Sequence, residues 1–149
     1  NEENGGLLLW GSVGMGKTYM AACIANALLE KEVSVHMTNF AIILNDLSGY
    51  NCDKNEYIDK LCAFDLLIID DFGMERTTNY GTEQIFNVID NISCSNARLI
   101  VTTNLTLNEI RNTTDLTYKR IFDRILAKCK PVLINDVNQR EKVIESTKK

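Results

Sequence analysis

The sequence has no hydrophobic stretch fit to cross a bilayer: its runs of large apolar residues at 7–10 and 66–69 stop at four, against the ~20 that a spanning helix needs. No charged-then-apolar leader opens the chain, so these 149 residues carry no export signal. Both absences predict a soluble protein with no membrane attachment. No two cysteines have the C-x-x-C spacing; the five, Cys23, Cys52, Cys62, Cys94 and Cys129, are odd in number and scattered. This argues against a disulfide framework and a zinc site, and predicts reduced thiols in a cytoplasmic protein. Proline occurs once, at Pro131, and there is no internal repeat, linker or low-complexity tract. One compact domain over 1–149 is expected. The first residue is Asn1 rather than Met, and the expectation is a fragment from which an upstream segment has been removed.

What is present is an ordinary globular composition, 45% hydrophobic and 24% charged, with net charge −4. A chain of this length buries roughly two thirds of its unfolded surface, enough for a core without metal or disulfide. The charge is uneven. Residues 1–110 carry six basic and fifteen acidic side chains, and residues 111–149 carry ten and five. A basic final quarter on an acidic body fits either an anion-facing surface, for phosphate or nucleic acid, or a solvated helix face.

Short β-rich runs alternate with helical periodicity from end to end. Strands are expected at 7–10, 33–38, 66–70, 99–102 and 132–134, and helices at 17–29, 40–47, 57–63 and 116–128. A further helix, capped by Thr82, aligns Ile85, Val88, Ile89 and Ile92 on one face. The third strand is all apolar before its terminal aspartate, as in strands buried on both faces. Regular alternation of this kind predicts an α/β fold, a five-stranded parallel sheet with helices on both faces.

Gly11-Ser12-Val13-Gly14-Met15-Gly16-Lys17-Thr18 fits G-x-x-x-x-G-K-[ST] between an expected strand and an expected helix, the context that makes this pattern a P-loop. Glycines let successive backbone N–H groups turn inward around a phosphate, and the helix N-terminus adds its positive end. Lys17 is expected to reach the β- and γ-phosphates and Thr18 to place its hydroxyl on Mg²⁺. The adjoining Tyr19 completes the nucleotide-binding set. Asp70 and Asp71 end the buried strand at the sheet edge where α/β ligands sit. In this Walker B pattern Asp70 holds the metal and Asp71 acts as general base. Asp71 is one methylene shorter than the glutamate often found there, which predicts slow hydrolysis. The run 99–104 ends in Thr102-Thr103-Asn104, making Asn104 the sensor 1 candidate that orients the lytic water. On the helix at 116–128, Tyr118, Ile121, Phe122 and Ile125 share one side and Arg120, Arg124 and Lys128 the other. That ridge is either a solvated face or the source of an arginine finger for a neighbour's nucleotide site.

With its P-loop, with Leu-Leu-Ile-Ile-Asp-Asp-Phe-Gly at 66–73, Thr-Thr-Asn at 102–104 and Lys-Arg-Ile-Phe-Asp-Arg-Ile at 119–125, the chain resembles the DnaC/DnaI/IstB group of AAA+ ATPases over essentially its whole length. These are the bacterial and phage helicase loaders and the transposition helper ATPases. The resemblance implies a P-loop NTPase fold of AAA+ type, ATP and Mg²⁺ as cofactors, and slow hydrolysis of ATP to ADP and phosphate, stimulated by assembly or DNA. Residues 119–125 look like the family's box VII, so Arg120 and Arg124 inherit the finger role jointly. Arg140 stands where such proteins carry a sensor 2 arginine. Single-stranded DNA is gripped in the family after the second strand and after Walker B; Tyr50, Thr78 and Tyr80 fall there by position. The implied partners are single-stranded DNA, further copies of the chain in an ATP-dependent oligomer, and a replicative hexameric helicase bound through an upstream module. A transposition helper acting on duplex DNA is the alternative within the fold. A small-molecule P-loop kinase fits less well, because Asp70-Asp71 and Thr-Thr-Asn point to water as acceptor.

Overall fold

The computed structural model describes residues 5–135. Five strands form one parallel sheet: β1 (Gly6–Trp10), β2 (Val35–Thr38), β3 (Leu66–Ile69), β4 (Arg98–Thr103) and β5 (Cys129–Leu133), in the order β2-β3-β4-β1-β5. Six helices connect them: α1 (Lys17–Leu29), α2 (Phe40–Leu47), α3 (Lys54–Cys62), α4 (Asn79–Cys94), α5 (Leu107–Arg111) and α6 (Leu116–Lys128). From β1 the chain passes through α1 and crosses β4 and β3 to reach the far edge at β2. The C-terminal ends of β1, β3 and β4 therefore lie side by side where the strand order reverses, the usual ligand crevice of such sheets.

Alternate strand residues split the core in two. Leu8, Leu67, Ile69, Leu99 and Val101 face the larger cluster, filled by Phe40 and Ile43 of α2, Ile58 and Leu61 of α3, Ile85 and Ile89 of α4, and Ile121 and Ile125 of α6. Leu9, Leu66, Ile68 and Ile100 face the smaller one, where α1 contributes Ala21 and Ala25. Small residues on α1 let that helix lie close to the sheet and hold its N-terminus beside the strand ends.

The expected helices at 17–29, 40–47 and 116–128 have the observed bounds. Others shift for local reasons. Thr82 does not cap α4: Thr78 does, its Oγ1 accepting from Gly81 N at 3.1 Å, while Thr82 sits in the first turn and donates to Thr78 O. The helix α3 begins at Lys54 because Asp53 caps it, accepting from Glu56 N at 3.2 Å. Its first turn is polar, so hydrophobic periodicity missed it. Helix α5, which the periodicity does not announce, is closed by a Thr106/Glu109 capping box. Strand β5 contains Pro131 rather than following it. As an edge strand β5 directs alternate N–H groups away from β1, so a proline fits. All five cysteines are free; burial pushes the Cys129 thiol up to about 12. Among the described residues no helix is long and apolar enough to cross a membrane.

Candidate functional site

The loop after β1 turns through Gly11 (φ 150°), Gly14 (φ 81°) and Gly16 (φ 85°) before α1 begins at Lys17. A Cβ on Gly11 would meet Ile134 O at 2.5 Å, and Gly16 is the left-handed residue that starts the helix without a side-chain cap. The first N–H groups of α1 thus remain for an anion. The buried Lys17 donates from Nζ to Gly11 O and Ser12 O, both at 2.8 Å, which uses two of its three donors. Burial lowers its pKa, and Asp71 and Asp70 act in the opposite direction.

Opposite the loop, β3 and β4 deliver the acidic pair. Ile69 pairs with Val101, so one step further Asp70 stands beside Thr102. Asp70 Oδ1 accepts two hydroxyls, from Thr18 at 2.9 Å and from Thr102 at 2.6 Å. Thr102 Oγ1 in turn accepts from Asp71 N at 2.7 Å, and Asn104 Nδ2 donates to Asp71 Oδ1 at 3.3 Å. Asp71 has φ 53°, a left-handed backbone that Asp tolerates better than most residues. Its neighbours enforce the turn. Asp70 N donates to Thr38 O, Phe72 N donates to Thr102 O, and the Phe72 ring is locked between Phe40 at 5.3 Å and Phe122 at 5.7 Å.

These groups border one open cleft of about 700 Å³, lined by residues 13–19, Ala22, Asp70, Asp71, Thr102 and Asn104. Its donor set fits a magnesium nucleotide: a hydroxyl and a carboxylate 2.9 Å apart at one end of a lysine-bearing anion loop. Magnesium retains most of its shell from phosphate and water and needs only one or two protein oxygens; Thr18 and Asp70 would supply them.

The remaining expected residues lie elsewhere. Tyr50, Thr78 and Tyr80 come together around a second cavity, between the α2–α3 turn and the start of α4. Arg120 and Arg124 project from α6 onto Phe86 of α4, their guanidinium carbons 4.0 and 5.8 Å from its ring centroid, outside the cleft lining. Arg124 Nε also donates to Asp90 Oδ1 at 3.0 Å. Arg140 falls outside the described residues. Thr102 was missed by motif reading although it joins Asp70 to Asp71. Its signal was a hydroxyl at the end of an apolar strand, and only the β3–β4 pairing brings it to Asp70.

A glycine-turned anion loop facing a strand-end carboxylate pair, on a parallel sheet of this order, defines a P-loop nucleotide-binding domain of AAA+ type. The chain belongs to the IstB-like ATP-binding protein family, whose description matches residues 1–146. It is 26% identical over 149 residues to the replicative helicase loader DnaI of Bacillus subtilis, covering 91% of this chain and 47% of that protein. It is 29% identical over 119 residues to the replicative helicase loader DnaC of Escherichia coli, covering 77% and 47%. A crystal structure of the DnaC helicase loader superposes with a TM-score of 0.74 at 25% identity, covering 91% of this chain and 81% of that one. The chain thus spans about half the length of these curated relatives.

Proposed function

We propose that this domain is the ATPase engine of a helicase loader: nucleotide binding assembles protomers on single-stranded DNA, and hydrolysis releases them. One observation carries the reading, the convergence of Thr18, Thr102 and Asn104 on the Asp70-Asp71 pair beside Lys17. In this scheme Lys17 and the loop amides neutralise phosphate, and Thr18 and Asp70 hold Mg²⁺. The ion's part is to polarise phosphoryl oxygens. Asp71 takes the proton of the attacking water while Asn104 orients its carboxylate. One of Arg120 and Arg124, both outside their own cleft, acts as the finger on the nucleotide of an adjacent protomer. Tyr50, Thr78 and Tyr80 contact the DNA strand. The names of the DnaI and DnaC relatives support delivery of a replicative helicase as the task.

Phosphate release measured with Mg-ATP alone, with single-stranded DNA and with duplex tests this reading. Stimulation by the single strand is expected. Stimulation by duplex alone would favour the transposition-helper alternative, and no release under any condition would leave only a nucleotide-binding module. Mixing tests the finger. An Arg120→Ala/Arg124→Ala protomer retains its cleft, an Asp71→Asn protomer retains its arginines, and the mixture should exceed either alone. No recovery in co-assembled mixtures would return these arginines to the solvated face.

A further inference from the structure

Between the Asp70-Asp71 pair and α4 the chain runs through residues 72–77 without helix or strand, and α6 grips this stretch at two points. The Phe122 ring meets Phe72 edge-on, 5.7 Å between centroids, and Tyr118 Oη donates to Glu75 O at 3.1 Å. Tyr118 and Phe122 stand one turn apart on the buried face of α6, their ring centroids 6.0 Å from each other. The two points of grip are themselves joined. Glu75 folds its side chain back so that Oε1 accepts from Gly73 N at 3.2 Å, which closes residues 73–75 into a short loop. Burial raises the pKa of that carboxyl, the Gly73 bond opposes this, and the Asp71 carboxylate adds to it, a sign of how near the loop stays to the reacting pair.

The opposite side of the same helix carries Arg120 and Arg124, which lie on Phe86, with Arg124 also on Asp90. Helix α6 thus has the two candidate finger arginines on one face and the segment that bears Asp71 on the other. A packed helix moves as a body, because close-packed interiors deform little. An arginine that leaves Phe86 to seat in a neighbour's nucleotide site therefore shifts α6 as a whole. That shift reaches Asp71 through two unlike contacts: an edge-on ring pair tolerates sliding, whereas a hydrogen bond fixes distance and direction. We infer that Tyr118 is a positioning residue for hydrolysis: it ties the Asp71 segment to α6, so that seating a protomer's finger in the next site aligns that protomer's own general base. The inference rests on the ATPase reading above and adds to it a direction of signalling. The finger then serves two sites, the neighbour's by its charge and its own by the helix that carries it. Glu75 keeps the connection short, since its side chain holds residues 73–75 closed.

The test compares Mg-ATP affinity, ATP-dependent self-association and phosphate release for the full chain and for Tyr118→Phe, which keeps the ring beside Phe122 and removes only the hydroxyl. Tyr118→Phe should bind Mg-ATP and self-associate as the parent does, with KM unchanged, while kcat of the assembled protein falls about two- to tenfold, the effect of one hydrogen bond. Glu75→Ala should lower kcat similarly, and Glu75→Gln, which keeps an oxygen for Gly73 N, should restore most of it. Added to Arg120→Ala/Arg124→Ala, Tyr118→Phe should lower turnover no further, because without a finger the helix has nothing to transmit. A purely structural hydroxyl gives a different pattern: a lower thermal midpoint with parental kcat in the assembled state, or losses that multiply in the combined variant. Either result overturns the inference and leaves the ATPase reading intact. A parent whose turnover does not rise on assembly overturns the finger reading and this inference with it, so the two failures are told apart.

Discussion

The nucleotide cleft and the second cavity are of similar volume, about 700 and 610 Å³, and are organised in opposite ways. In the cleft polar atoms are tied to one another: Asp70 accepts two hydroxyls, Thr102 bridges to the Asp71 amide, and Lys17 is held by two loop carbonyls. At the cavity the aromatic side chains Tyr50 and Tyr80 stand in solvent. A reacting centre requires geometry fixed before the ligand arrives. The DNA contact proposed for the second region, which would meet many sequences, is suited by π faces and few directional bonds. Substitution should therefore cost chemistry in the first region, with a structural cost at the bridging Thr102, and only affinity in the second.

The largest contrast is expected at Asp71. Asp71→Asn should bind Mg-ATP normally yet lower turnover about 10²- to 10⁴-fold, the usual contribution of a general base; parental turnover would break the contrast. Lys17→Ala should weaken nucleotide binding by roughly a hundredfold or more, ~3 kcal/mol, with a thermal midpoint within ~4 °C of the parent. Nucleotide titration of the folded variant checks this, and undiminished affinity would sink the P-loop assignment. Thr102→Val keeps the volume but removes the donor to Asp70 and the acceptor for Asp71 N. It should cost about 1–3 kcal/mol in denaturant unfolding, whereas Tyr50→Ala should stay within ~0.5 kcal/mol. Equal losses would erase the distinction between a tied site and an open one.

A smaller effect than at Thr102 concerns the frame of the cavity. Tyr57 of α3 donates to Asp46 Oδ2 of α2 at 2.7 Å, and burial first, then that carboxylate, raises the phenol above its ordinary value of 10.0. A raised folded pKa means that the folded state keeps its proton longer than the unfolded chain. The contribution is complete below pH ~10 and declines as pH rises beyond it. Tyr57→Phe should lose about 0.5–1.5 kcal/mol at neutral pH and should lack that alkaline decline. A parallel pH profile for parent and variant would remove the hydrogen bond from the frame.

The two regions also differed in how much of them could be read without coordinates. The P-loop, Asp70 and Asp71 were legible because phosphate chemistry restricts both residue type and spacing, and because the flanking strand and helix have strong periodicity. Thr102 was not, since its role arises from register: it adjoins Asp70 only because β4 pairs with β3. The remaining walls of the second cavity, Lys54 and Gly81 among them, were illegible for a similar reason, as residues from α3 and α4 meet there through packing of separate elements. The shift of the α4 cap from Thr82 to Thr78 shows a local limit. Several hydroxyls preceded the same apolar face, and only the fold decides which one meets a free N–H.

The left-handed backbone at Asp71 makes the choice of carboxylate there a matter of inheritance as much as of acidity. At φ 53° a longer side chain starts from a conformation that costs L-residues ~1–2 kcal/mol, a cost that Asp and Asn soften through local hydrogen bonds of a short side chain. The turn cannot relax freely, because Phe72 is committed to Phe40 and Phe122 one residue later. Asp71→Glu, conservative by charge, is thus a backbone mutation in disguise, while Asp71→Asn is nearly silent to the fold. A lineage moving from aspartate to glutamate at this position would have to loosen the aromatic packing first.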